Sequence, residues 1–132
     1  MATESTRQVI DRIRAVYESD MAGLREAMVD LAADDFVQEW PQSGERLRRD
    51  AALKVFEGYA EATGAQPSFT FHRLLGGDDS FVIEGTIDYG SGSTARYVGI
   101  FELRNGKVAR LTEYFASPFE APAWRADLVE RI

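Results

Sequence analysis

TARYVGIFELRNGKVARLTEYF, residues 94–115, alternates apolar and polar side chains on both sides of an Asn105-Gly106 pair. Strand side chains point to opposite faces with a period of two, and Asn-Gly between alternating runs is a strong hairpin signal. The stretch therefore reads as two antiparallel strands, Thr94–Arg104 and Lys107–Phe115. The second splits into the rows Ala109, Leu111, Glu113, Phe115 and Val108, Arg110, Thr112, Tyr114. One acid, Glu113, interrupts an otherwise apolar row. With that row turned inward, Glu113 becomes a carboxyl group in an apolar cavity, the setting in which general acids and bases are commonly made.

Upstream, Ser80–Tyr89 alternates in the same way, with Phe81, Ile83, Gly85, Ile87 and Tyr89 as its interior set. The interior set of Thr94–Arg104 is Tyr97, Gly99, Phe101 and Leu103. A turn at Ser91-Gly92-Ser93 sets Gly85 opposite Gly99, and two inward glycines leave a hole, let the sheet bend, or do both. Ser68–Leu75 is a fourth strand, joined through Gly76-Gly77-Asp78-Asp79. The opposite face carries Val82, Val98 and Ile100, an apolar strip that marks a partner surface and points to a homodimer through the outer sheet face.

The N-terminal half is helical instead. Ser5 and Gln8 fit a capping box, followed by the stripe Val9, Ile10, Ile13, Val16, Tyr17 at helical spacing. Asp20 is the expected N-cap of a second helix carrying Leu24, Ala27, Met28 and Leu31, which Asp34-Asp35 ends. Phe36–Trp40 is a short extended run, and Pro41-Gln42-Ser43-Gly44 is a loop. A third helix runs from a cap at Asp50 to Gly64 and buries Leu53, Phe56, Tyr59 and Ala60. A last helix is expected after Ala121-Pro122, with Trp124 and Leu128 on one face as a lid. Helices first and hairpins afterwards argue for α+β, the helices covering one face of a curved antiparallel sheet to make a cone with a mouth. The length suits a single domain over 1–132.

Composition narrows the chemistry. A net charge of -7 argues against nucleic acid or an anionic membrane as partner. The run Glu45-Arg46-Leu47-Arg48-Arg49 reads as a solvated edge. With no cysteine, thiol nucleophiles and disulfides are excluded. With one histidine, His72, a multi-histidine metal cluster is excluded, and no spacing supports a carboxylate-only metal site. No apolar stretch is long enough to span a membrane, and residues 1–5 lack the pattern of a signal peptide. A cytoplasmic protein without metal or cofactor is the expectation.

The order helix, helix, short strand, helix and four long antiparallel strands resembles the nuclear transport factor 2-like superfamily, with its cone, or cystatin-like roll. Within it, residues 34–45 (DDFVQEWPQSGE), residues 100–108 (IFELRNGKV) and Glu113-Tyr114-Phe115 with residues 118–126 (PFEAPAWRA) resemble SnoaL-like, polyketide cyclase-like proteins. The superfamily hosts isomerases, dehydratases, cyclases, epoxide hydrolases and plain binding domains, so the resemblance implies the fold more strongly than the reaction. Members similar to limonene epoxide hydrolase keep an acid before Tyr-Phe on the last strand, where Glu113 stands. The arginine and aspartate they also need fall at Gly85 and Ile87. Ketosteroid isomerases carry an aspartate before the proline of the short strand, here Trp40 with Glu39 beside it, and a second acid near Gly99.

The candidate catalytic groups are thus Glu113 and His72, the one side chain with an ordinary pKa near neutrality. His72 lies mid-strand, with either face open to it. The expected pocket wall is Trp40, Glu39, Tyr59, Ile83, Gly85, Ile87, Tyr97, Gly99, Phe101, Leu111, Phe115 and Trp124. Three functions compete. One is a cofactor-independent isomerase, cyclase or dehydratase acting on a small hydrophobic carbonyl or polyketide-like compound. The second is a non-catalytic small-molecule binding domain. The third is a dimeric interaction module.

Overall fold

The computed structural model describes residues 3–64, 67–90 and 92–132, with the side chains of 59–63 outside the description. Its elements, in chain order, are α1 (Glu4–Glu18), α2 (Leu24–Leu31), β1 (Ala32–Trp40), β2 (Glu45–Arg48), α3 (Arg49–Thr63), β3 (Ser68–Gly76), β4 (Ser80–Asp88), β5 (Thr94–Arg104) and β6 (Lys107–Ala116). Six strands form one sheet in the order β2-β1-β6-β5-β4-β3. The architecture is α+β, a curved sheet that does not close, with the helices on its inner side. One pairing is not antiparallel: β1 runs parallel to β6. The basic run after the Pro41 turn is more than a solvated edge, since Glu45–Arg48 pairs with β1 as the edge strand β2.

The first helix buries the expected stripe, Val9, Ile10, Ile13, Val16 and Tyr17. Each such side chain taken from water contributes about 1.5–3 kcal/mol. Its cap is Thr3, whose hydroxyl accepts from the Thr6 N–H, rather than Ser5. Asp20 does not cap α2 either, because Gly23 holds that position. Asp20 and Met21 take positive φ, 60° and 62°, a conformation that is costly for non-glycine residues. The Asp20 carboxylate is turned back to accept from the Phe69 N–H, pinning the start of β3. The buried face of α2 is Leu24, Ala27 and Met28, and β1 follows directly, taking in Asp34-Asp35. In α3 the fully buried residue is Ala52, with Leu53 and Phe56 half-buried; Tyr59 and Ala60 lie outside the described side chains.

Sheet faces follow the alternation, with bulges where they depart. Along β4 and β5, Phe81, Ile83, Ile87, Tyr97 and Phe101 face inward and are buried. The β4–β5 loop closes between Tyr89 and Ser93, so Gly85 pairs with Tyr97, and Gly99 pairs with Ile83 and Glu113. The expected Gly85–Gly99 pairing is therefore off by two residues. In β6 a shift opposite Glu102 and Leu103 turns Val108, not Ala109, into the core. In β3 a second shift falls between Phe71 and Arg73. The core closes around packed rings: Phe81 stacks on Phe101 at 4.7 Å, and Tyr17 meets Phe69 edge-on at 5.2 Å.

Past β6 the chain forms a single 3-10 turn, Ala123–Arg125, where a full helix was expected. Pro122, with φ -60° and ψ 136°, leads into that turn in extended backbone. Among the described residues no helix is long and apolar enough to cross a membrane.

Candidate acid–base site

Glu113 faces inward from β6 and is 5% exposed. Two residues on the inner row of the parallel neighbour β1 reach it. Gln38 Nε2 donates to Glu113 Oε1 at 2.5 Å, and Trp40 Nε1 donates to the same oxygen at 2.9 Å. From β5, Tyr97 Oη donates to Oε2 at 2.5 Å. Tyr97 Oη also lies 3.0 Å from Tyr17 Oη of α1. A hydroxyl carries one proton. With Tyr97's proton on Glu113, Tyr17 must donate to Tyr97. The protons of this chain therefore all point toward the carboxylate.

The lone-pair count matters for chemistry. Oε1 accepts twice and is filled, whereas Oε2 accepts once and keeps a free lone pair. Every partner of this carboxylate among the described residues is neutral. Burial pushes the Tyr97 hydroxyl well above the usual phenol range, and the neighbouring Glu113 pushes it further. Burial does the same to Tyr17, again reinforced by Glu113. Both hydroxyls are neutral donors rather than bases. Gln38, 1% exposed, leaves its own Oε1 buried without a partner, a state that costs about 1–3 kcal/mol.

The two glycines do not leave a hole. A Cβ on Gly99 would collide with the Tyr97 hydroxyl, and one on Gly85 with the Phe69 ring. Each glycine is the seat of an aromatic ring. Ile83, Ile87, Phe101 and Leu111 are buried inner-face residues, and Phe115 is half-buried. Trp40, also half-buried, has its indole N–H on Glu113. Gln42 Oε1 accepts from the Phe115 N–H at 2.6 Å, tying the turn after β1 to this end of β6.

Three expected site residues stand elsewhere. His72 is exposed and lies 3.3 Å from Thr86 Oγ1, so it sits on the outer face, away from Glu113. Alternation after the inward-facing Phe69 and Phe71 puts it there. Glu39 alternates outward between Gln38 and Trp40 and pairs with Arg46 at 2.8 Å and Arg110 at 3.3 Å. The hydrogen bond from Arg46 holds it below the usual carboxylate range, and the charge of Arg110 adds to this. Trp124 is 77% exposed, so it does not plug the inner face as expected. Conversely, Gln38 and Tyr17 belong to the site without having been singled out for it. The period-two row Phe36, Gln38, Trp40 contains a signal for Gln38. Nothing local marks the Tyr17 hydroxyl.

The family model for the SnoaL-like domain matches residues 7–111. The chain belongs to the SnoaL-like family. The match stops just short of Glu113, so the family assignment does not itself assign that residue a role. Among solved structures, the SnoaL-like chain is 34% identical to a nuclear transport factor 2-like protein of unknown function from Burkholderia xenovorans, over 98% of this chain and 96% of that one, with a TM-score of 0.76. It is 27% identical to a candidate ketosteroid isomerase from Kribbella flavida, over 98% and 91%, with a TM-score of 0.78. An epoxide hydrolase of the limonene type from M. tuberculosis is 16% identical over 86% and 84%, with a TM-score of 0.61, a likeness of fold alone. No functionally curated protein matches the chain.

Proposed function

We propose that this SnoaL-like protein is a cofactor-independent acid–base catalyst, an isomerase, cyclase or dehydratase, acting on a small hydrophobic carbonyl or polyketide-like compound. The observation that carries this reading is the buried Glu113 carboxylate, held by three neutral donors with one Oε2 lone pair unused. Oε2 is the atom that takes a proton from an acidic carbon and returns it. Gln38, Trp40 and Tyr97 fix the carboxylate's orientation, and the surrounding rings exclude water. Substrate approaches at the end where Trp40 and Phe115 are half-exposed. Likeness to a candidate ketosteroid isomerase at 27% identity supports this class of chemistry. The same reading includes a homodimer through the outer sheet face. It also includes a cytoplasmic setting, where a chain without cysteines loses nothing to reducing conditions.

Its test needs no known substrate. Hydrophobic ketones are incubated with the protein in deuterated water, and exchange at the carbon beside the carbonyl is followed by mass spectrometry. The wild type should accelerate exchange, and Glu113→Gln should lose about 10²-fold or more while keeping its fold by circular dichroism. Equal exchange by both proteins would remove Glu113 from the chemistry.

A second reading, non-catalytic binding of a small apolar molecule, draws on one observation. His72 and Glu39 both face away from Glu113, so no second carboxylate or imidazole stands beside it among the described residues. Native mass spectrometry of protein taken from cells should then show an unchanged copurified ligand. Consistently empty protein that also ignores a panel of apolar metabolites would count against it.

A further inference from the structure

The segment after β6 carries large apolar side chains that are mostly exposed. Phe119 is 80% exposed, Trp124 77% and Leu128 79%. Soluble chains rarely leave such a cluster in water unless something covers it. Pro118 and Pro122 stiffen the segment, which lowers the entropy lost when it docks. Successive bonds, Ala126 N–H to Ala123 O at 3.2 Å and Leu128 N–H to Arg125 O at 3.0 Å, keep it in turns from Pro122 onward.

We propose that this segment, residues 117–132, is an exchange arm. Its Phe119, Trp124 and Leu128 dock on the outer sheet face of a second copy of this chain. The inference rests on the outer-face homodimer proposed above and specifies that the arm, rather than the opposing sheet, covers the strip. The receiving surface is the strip made by Val82, Val98 and Ile100, flanked by Leu75 and Tyr114, which are 52% and 39% exposed. Register places Val82 beside both Leu75 and Ile100, and Val98 beside Tyr114, so the strip is continuous across β3 to β6.

Charge and area both favour a second copy as occupant. Arg96 stands on the outer face with no acidic partner among the described residues, bonding the neutral Thr86 hydroxyl. The arm carries three acids, Glu120, Asp127 and Glu130, against two bases, Arg125 and Arg131, and its acids have no basic partner among the described residues. Two aromatic side chains per arm, at roughly 150–250 Å² each, give about 600–1,000 Å² for two arms. A stable interface takes about 1,600 Å² in total. The arms alone fall short, and arms plus the strips beneath them reach it.

The experiment is a complementation measured by sedimentation. The arm variant is Phe119→Ser with Trp124→Ser, and the strip variant is Val98→Glu with Ile100→Glu. Circular dichroism and melting must match wild type; Arg96→Glu, on an exposed position, serves as a second strip variant that leaves the packing untouched. Wild type should be a dimer, and each double variant should dissociate at least about tenfold more readily. An equimolar mixture of the two should regain a heterodimer, because one intact arm then meets one intact strip. An arm variant that dimerises like wild type overturns the arm while leaving the sheet-mediated dimer standing. Monomeric wild type overturns both. A mixture that stays monomeric shows that arm and strip do not meet, and also sinks the proposal.

Discussion

At the residue scale, Glu113 is notable for what surrounds it. A buried carboxylate normally leans on a cation, and this one has an indole, an amide and a phenol. Removing any one of these donors exposes the network to the cost of an unmet buried acceptor. Tyr97→Phe should lower stability by about 1–3 kcal/mol, read by denaturant unfolding. Because Tyr17 donates to the same hydroxyl, the Tyr17→Phe and Tyr97→Phe losses should be less than additive in a double-mutant cycle. Strict additivity would mean that the hydrogen-bonded chain does not act as a unit. The glycines offer a sharper steric test. Gly85→Ala drives a methyl into the Phe69 ring and the Thr70 carbonyl, the latter rigid backbone, whereas the nearest atoms to a methyl at Gly99 all belong to the Tyr97 side chain. Both should destabilise, by about 1–3 kcal/mol or more, with Gly85→Ala the worse. Gly99→Ala should also disturb the Tyr97–Glu113 bond, visible as a shift of the carboxyl stretch in the infrared.

At the element scale, the site depends on how β1 and β3 are placed. The parallel pairing of β1 with β6 sets Gln38 level with Leu111 and carries Trp40 to Glu113. An antiparallel partner in that place would present a different row. The start of β3 is held by one side chain, Asp20, on the Phe69 N–H. Phe69 in turn fills the space before Gly85 and meets Tyr97 edge-on at 5.4 Å. Asp20→Ala should therefore cost about 1–3 kcal/mol, and amide exchange should quicken first around Phe69. Uniform quickening across the sheet would show that Asp20 does not pin that strand locally. Bulges decide what lies beyond them: the β3 irregularity keeps Arg73 outward after His72 and returns Leu74 to the core, and the β6 irregularity replaces Ala109 by Val108 in the core. A strict period-two reading cannot see either, because one extra residue exchanges the faces of everything beyond it.

At the scale of the whole molecule, the buried phenols make stability depend on alkaline pH. Burial raises Tyr17 and Tyr97 above the unfolded phenol value of about 10. Below that value both are protonated in both states, and their contribution is fully present. Above it the unfolded chain releases protons that the folded chain retains. Stability is then lost as pH rises, at up to about 1.4 kcal/mol per pH unit for each group. Unfolding free energies from pH 8 to 12 should fall more steeply for wild type than for the Tyr17→Phe, Tyr97→Phe double variant. Phenolate absorbance from these two residues should appear only with unfolding, and its appearance in the folded protein would contradict their burial.

The sequence by itself determined the fold class, the SnoaL-like resemblance, the faces of β4 and β5, and the inward turn of Glu113. The resemblance rests on the segments 34–45, 100–108 and 113–126; the fold class and the strand faces rest on local periodicity and turn chemistry, which neighbouring residues fix between them. Tertiary structure alone decided who meets Glu113, that Phe69 and Tyr97 fill the space before the two glycines, and that Trp124 stands off the body. Those outcomes depend on contacts between residues far apart in the chain, such as Tyr17 with Tyr97 and Gln38 with Glu113. Register, bulges and crossover set those contacts, and no local pattern carries that information.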